Sequence, residues 1–299
     1  MSGPQLESMK ESEIPERRGL KKGLYLVPSL FTAANILMGF YTVMSALRAF
    51  QLIGKEDYLG ATPYLDNGSI AIGFAVLFDM LDGRIARLTK TTTEIGVQLD
   101  SIADVVSFGL APAVLAYVWG YGAALKEGSD LYNLALFISF MYLMCGAFRL
   151  ARFNVQSSRP RILAEGLIKM DKKSFVGLPI PVAGGLVAAI VHFAPTPLSF
   201  YKERAELYAM LLIGLIAILS IMMVSTLRFS SFKTVGANIR SMRTIILGVG
   251  FMVLMFRFSR YLLLAIVLAY IFYGLISWVW RLFRRRPELA GTNVPAKES

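Results

Sequence analysis

The sequence predicts an all-α, polytopic membrane helix bundle, and three observations predict it. Of 299 residues, 56% are hydrophobic and only 17% charged, with a mean hydropathy of +0.57. Soluble domains carry roughly 25% charged residues. The apolar residues gather in runs near the roughly 20 that a helix needs to cross a bilayer. Finally, 24 of the 31 Lys and Arg fall in the two tails and in alternate connections, the bias that orients membrane proteins. So apolar a chain cannot remain disordered. Its net charge of +11 is scattered between apolar runs, which suits an anionic membrane surface and argues against nucleic acid. The single cysteine, Cys145, makes no internal disulfide.

Eight spans are expected, at about 26–48, 69–88, 99–121, 131–150, 175–194, 207–227, 243–258 and 261–280. The first follows the basic cluster Arg17, Arg18, Lys21 and Lys22. The second is apolar until Asp79, and the third takes up the apolar pattern after a short polar turn at Thr89–Glu94. The fourth closes on Arg149 and leads into a basic loop reaching Lys173. A further basic stretch, Arg228–Arg243, follows the sixth. The seventh is short because of Arg257, whose side chain can snorkel at a helix end. It forms a tight hairpin with the eighth around Ser259 and Arg260, and Arg284, Arg285 and Arg286 anchor the end. An even span count keeps all these clusters on one side, with both termini cytoplasmic. The first ~20 residues are polar and carry both charge signs, unlike a secretory signal. The division expected is a polar tail at 1–20, a membrane domain at 21–235, a transmembrane hairpin at 236–286 and a polar tail at 287–299.

The informative stretch runs from Phe78 to Pro112. On a helix, Asp79, Asp82, Gly83 and Ala86 share one face, with Arg87 beside it. Gly96, Asp100 and Asp104, at i, i+4 and i+8, share a face of the next span. The short turn makes the two spans antiparallel neighbours, so the acidic faces meet at one depth near the cytoplasmic boundary. A carboxylate at membrane depth costs roughly 2.5–3.5 kcal/mol on insertion scales. Arg84 and Arg87 are placed to pair with some of the aspartates, but two arginines cannot neutralise four. Oxygen ligands suit Mg²⁺, Mn²⁺ or Ca²⁺, and the absence of nearby His or Cys argues against zinc. Gly83, Ala86 and Gly96 leave room for a ligand such as a diphosphate.

Asp79-x-x-Asp82-Gly83-x-x-Ala86-Arg87, eight residues, then Gly96-x-x-x-Asp100-x-x-x-Asp104 resembles the signature of the CDP-alcohol phosphatidyltransferase family at all eight specified positions. The resemblance implies an enzyme that displaces CMP from a CDP-linked lipid with an alcohol, on a six-helix core that forms a homodimer. By the same resemblance, Asp79, Asp82 and Asp100 bind Mg²⁺ or Mn²⁺, and Asp104 completes the metal site and acts as general base. Gly83, Ala86, Arg87 and Gly96 shape the CDP-lipid pocket. Pro28-Ser29-x-x-Thr32-x-x-Asn35 resembles a family element facing the nucleotide, with Ser29 where the pattern has Asn; Thr32 and Asn35 join the pocket. The stretches Lys21–Pro28, Ser107–Ala113, Phe148–Asn154, Phe175–Pro181 and Ser231–Lys233 resemble the branch that uses L-serine as acceptor. That branch implies CDP-diacylglycerol and L-serine as substrates, membrane lipids as surroundings and the cell membrane as location, with the site facing the cytoplasm.

Arg149 and Arg152, one turn apart, are candidates for the lipid phosphate or the serine carboxylate, or else positive-inside anchors. Lys172 and Lys173 read as headgroup contacts, Cys145 as packing, and Trp119, Trp278 and Trp280 as interface residues. His192 lies toward the outer end of its span and reads as structural. Two other readings stay open: a different acceptor (glycerol 3-phosphate, inositol phosphate or choline), and an ion-coupled transporter built on intramembrane aspartates. Transporter sites favour the midplane and broken helices, whereas these aspartates cluster at a boundary.

Overall fold

A computed structural model describes residues 18–89, 94–158, 174–225, 228–230 and 259–284. The architecture is helical. Helix α1 (Arg18–Ile53) turns back at residues 54–57 into α2 (Tyr58–Thr89), and the Asp57 carboxylate accepts from the Gly60 amide at 2.9 Å to start α2. The α1–α2 seam is lined by small buried residues (Ala46, Ala49, Ala61 and Ala75), and Thr42 Oγ1 donates across it to the Gly68 carbonyl at 2.9 Å. Small side chains let helices approach closely where lipid supplies no hydrophobic drive between them.

The third span is a continuous helical rod of changing pitch. It runs through α3 (Glu94–Asp104), a π-helical segment at Val105–Leu110, α4 (Ala111–Ala116) and a second π segment at Tyr117–Tyr121. Asp104, Leu110 and Ala116 at the junctions keep right-handed helical angles, so the rod does not break. It is the centre of the bundle, touching α1, α5 (Asp130–Ser158) and α6 (Ile180–Phe193). In the first π segment Ser107, Phe108 and Gly109 are all buried. Ser107 Oγ donates to the Asn35 carbonyl at 2.8 Å, and the Tyr142 hydroxyl to the Phe108 carbonyl at 3.0 Å. The wider pitch thus places three successive side-chain positions inward and uses backbone carbonyls as acceptors for neighbouring helices.

A 3₁₀ turn (Leu198–Arg204) leads into α7 (Ala205–Val224), which packs on α5; α8 (Ser259–Arg284) packs on α6. Among the described residues, four helical stretches are long and apolar enough to cross a membrane: Leu30–Ile53, Ile95–Tyr121, Asp130–Val155 and Leu198–Val224. Ile180–Phe193 and Ser259–Gly274 are shorter apolar helices. Helix α2 is long enough, but Asp66, Asn67, Asp79, Asp82 and Arg84 interrupt its apolar run. Large apolar side chains such as Leu37, Phe40, Phe140 and Ile221 stand exposed on the outer faces, as a lipid-facing surface requires. The protein is a multi-pass membrane protein.

The structure departs from the sequence reading in three places. A short antiparallel ladder, β1 (Ser174–Val176) against β2 (Arg228–Ser230), was not expected; it pairs Ser174 with Ser230. It occupies the start of the fifth predicted span, so the helix begins only at Ile180. Gly177 at φ +83 turns the chain there, and Pro179 at the helix N-cap sets the entry. Trp119 is buried rather than lipid-facing, its indole N–H donating to the carbonyls of Ala194 (2.8 Å) and Thr196 (3.0 Å). The seventh predicted span (243–258), Lys172 and Lys173, Ser231–Lys233, Arg285 and Arg286, and the 287–299 tail lie outside the described residues.

Candidate active site at the α2–α3 hairpin

Four helices deliver polar groups to one place near the α2–α3 connection. Asp79 from α2 and Asp100 and Asp104 from α3 each offer one carboxylate oxygen, and these oxygens all lie within 4.8 Å of one another. Asp82, one turn beyond Asp79, is buried and faces Asp79 and Asp100, but its carboxylate also accepts a hydrogen bond from Thr32 Oγ1 of α1. Asn35, one turn along α1 from Thr32, is fully buried and faces Asp104. Arg149 of α5 lies within electrostatic reach of Asp104 and is 8% exposed. Thr32 and Asn35 fall on one face of α1 because they are three residues apart.

Helix α1 packs against both acid-bearing helices, and this brings the carboxylates together. Gly39 permits it: a Cβ there would stand 2.6 Å from Ser107 Oγ and 2.8 Å from Ser107 Cα. The close approach lets Asn35, one turn earlier, sit against the end of α3.

Two physical features mark this cluster as a ligand site. At separations up to 4.8 Å, each pair of ionised carboxylates repels by about 3.5 kcal/mol or more at an effective dielectric of about 20. One nearby guanidinium offsets part of that. Secondly, Asn35 Nδ2 and Oδ1, Asp104 Oδ1 and Arg149 Nε are buried and, although Asn35 faces Asp104, none makes a hydrogen bond of normal geometry among the described residues. Buried polar atoms are normally satisfied, and four bare ones at a single spot leave both acceptors and donors for something else. The donor set fits a hard divalent cation. Opposite oxygens stand about 4.2 Å apart around Mg²⁺ and about 4.6–5.2 Å apart around Ca²⁺, so three carboxylates at this spacing can share an ion with little movement.

Of the other predicted residues, Gly83 lies on α2 and Gly96 on α3 at the same end of the hairpin. Ala86 and Arg87 belong to the last turns of α2, and their side chains lie outside the described residues. Arg152 is an electrostatic neighbour of Arg149, but its Nη1 reaches toward the Val224 carbonyl at 3.5 Å. His192 is remote from the cluster, contacting Asp66 and Ser259. The sequence reading missed two features. The Asn154 amide donates to Ser101 Oγ at 2.8 Å, tying α5 to α3 between Asp100 and Asp104. Tyr270 of α8 lies beside Arg149; a tyrosine in an apolar span carries no signal of such a role.

The sequence pattern of the CDP-alcohol phosphatidyltransferases matches residues 25–222, which include all four aspartates, Thr32, Asn35 and Arg149. The chain belongs to this family. Among similar proteins, the CDP-diacylglycerol–serine O-phosphatidyltransferase of Helicobacter pylori strain J99 is 32% identical over 257 residues, 86% of this chain and 92% of that protein. The Saccharomyces cerevisiae protein of the same name is 37% identical over 180 residues, 58% of each chain. An archaetidylserine synthase of Methanothermobacter thermautotrophicus is 32% identical over 214 residues, covering 71% of this chain and 72% of its own. As a CDP-alcohol phosphatidyltransferase the chain is a transferase of phospholipid biosynthesis, and α1 to α7 carry its family-wide part, while α8 lies beyond the match.

Proposed function

We propose that the protein transfers the phosphatidyl group of CDP-diacylglycerol to the hydroxyl of L-serine, giving phosphatidylserine and CMP. The observation that carries this reading is the convergence of the Asp79, Asp100 and Asp104 oxygens within 4.8 Å, at the positions of the family signature. The names of the relatives as serine O-phosphatidyltransferases support serine as acceptor.

In this reading Asp79, Asp100 and Asp104 hold Mg²⁺ or Mn²⁺, with Asp82 completing the acidic face. When bound, the cation polarises the diphosphate and stabilises charge growing on the departing CMP. Thr32 fixes the Asp82 carboxylate through its hydrogen bond. Asn35, Gly83, Ala86, Arg87 and Gly96 form the CDP-lipid side of the pocket. Asp104 accepts the serine hydroxyl proton as the new O–P bond forms and the P–O bond to CMP breaks. A carboxylate is a weak base, so much of the rate comes from holding the two substrates in line. Arg149 supplies positive charge beside Asp104 for an anionic group of a substrate.

The lipid stays in the bilayer while serine arrives from water, and a boundary site admits both. Eight spans with both termini in the cytoplasm put this boundary on the inner face of the cell membrane, where 24 of the 31 basic residues fall. The proposed units are a transferase domain at 21–235, a C-terminal hairpin at 236–286 and the two tails, assembled as a homodimer.

The test is CMP release by the purified protein in detergent, with CDP-diacylglycerol, Mn²⁺ and one alcohol at a time. Serine is expected to give phosphatidylserine, and release with no gradient present excludes ion-coupled transport as the activity. Turnover with glycerol 3-phosphate, inositol phosphate or choline but not with serine contradicts the acceptor assignment.

A further inference from the structure

Helix α8 lies outside the family match, yet it is fastened to the transferase core at a defined height. His192 Nδ1 of α6 donates to Asp66 Oδ1 of α2 at 2.5 Å. Its Nε2 lies 2.8 Å from Oγ of Ser259, the first residue of α8. Arg260 Nη2 reaches Asp66 Oδ2 at 3.4 Å. These groups clamp three helices at one level, and His192 is almost fully buried there.

Because Tyr270 lies within electrostatic reach of Arg149 beside Asp104, α8 runs from the clamp toward the acidic cluster, as α2 does. On α2, 13 residues separate Asp66 from Asp79; on α8, 11 residues separate Ser259 from Tyr270. At about 1.5 Å per residue these are paths of about 20 Å and about 17 Å. Tyr270 therefore reaches the level of the clustered carboxylates to within about one helical turn. It is packed against the core, and its neighbour Ile271 is 7% exposed, so α8 is seated firmly at that height. Arg149 lies within electrostatic reach of both Asp104 and Tyr270. Its Nε is buried without a hydrogen-bond partner among the described residues.

We propose that α8 completes the acceptor side of the active site, with Tyr270 positioning Arg149 to receive the carboxylate of L-serine. This rests on the serine reading above. Arg149 suits an anionic oxygen pair, which the serine carboxylate and the lipid phosphate both offer. The carboxylate is the assignment because Arg149 stands beside Asp104, the group that must meet the serine hydroxyl. Tyr270 is a positioning residue: it acts on Arg149, and the clamp acts on Tyr270 by fixing the height of α8.

The experiment measures steady-state kinetics of the full chain in detergent, varying L-serine and CDP-diacylglycerol separately. Tyr270→Phe keeps the ring packing and removes the hydroxyl. It is expected to raise KM for serine about three- to tenfold, the range that one hydrogen bond is worth, with KM for CDP-diacylglycerol unchanged. Asp66→Asn, which leaves every group at the site in place, is expected to raise the same KM from about 20 Å away. It carries the test alone if Tyr270→Phe does not give a folded, monodisperse protein. An unchanged KM for serine, or a rise confined to KM for CDP-diacylglycerol, overturns the proposal while the serine reading stands. Wild-type protein that releases CMP with another alcohol and not with serine overturns both.

Discussion

Asp104 and Asp82 differ although both are buried acids of one signature. Among the described residues, Asp104 keeps one oxygen without a partner of normal geometry, beside Arg149 and the Asn35 amide, whereas Asp82 is engaged by Thr32. Asp104→Asn keeps one oxygen for the cation but loses the base, and is therefore expected to lower kcat about 10²–10⁴-fold while leaving CDP-diacylglycerol binding within a few-fold. Asp100→Ala removes a carboxylate from the cluster and is expected to weaken Mn²⁺ and CDP-lipid binding together, read by titration calorimetry. Equal loss of lipid binding in the two variants contradicts the separate roles. Thr32→Val leaves a buried carboxylate without its donor, and a loss of about tenfold in kcat/KM is expected. At this scale the sequence was legible where spacing fixes geometry. The i, i+3 and i, i+4 placement of the acids is a property of any helix. The Thr32 contact with Asp82 and the approach of Arg149 to Asp104 join residues far apart in the chain, and no local pattern encodes such pairings.

Helices carry the site only if they pack closely, and two glycines set that packing. A Cβ on Gly39 would lie 2.6 Å from Ser107 Oγ, so Gly39→Ala must push α1 from the π segment and shift Asn35 relative to Asp104. Such overpacking costs about 1–3 kcal/mol. A lower melting temperature in detergent together with reduced turnover is expected. Gly177 combines φ +83 with a Cβ position 2.3 Å from the Met223 carbonyl, and Gly177→Ala is expected to destabilise by a similar amount without touching the acidic cluster. Apolar runs predicted where helices lie because burial in lipid depends on composition alone. Helix ends were less legible. The apolar count continues through Phe175 and Val176, and only the backbone demands of Gly177 and Pro179 delay α6 to Ile180. The π segments left no trace in the sequence, since an added residue per turn changes facing without changing composition.

For the whole molecule, the α2–α3 hairpin brings its acids together beside α1 and α5, and the proposed reading puts them at a membrane boundary. The basic-residue bias predicts that Ser129, in the turn before α5, faces outward while the α2–α3 connection faces the cytoplasm. In a Cys145→Ser background, cysteine at Ser129 is expected to react with an impermeant maleimide in intact cells, and cysteine at Thr92 only after lysis. The opposite pattern reverses the proposed orientation. The helical membrane architecture was legible because apolar content is a global sum that single errors barely alter. The docking of α8 was not, because it depends on Asp66, His192 and Ser259 meeting across three helices. A cation shared between the hairpin arms is the central proposal. Anomalous scattering at the manganese edge from crystals grown with Mn²⁺ tests it directly. A peak within about 2.0–2.6 Å of oxygens from Asp79, Asp100 and Asp104 is the expected result, and manganese bound elsewhere, with these carboxylates bare, contradicts it.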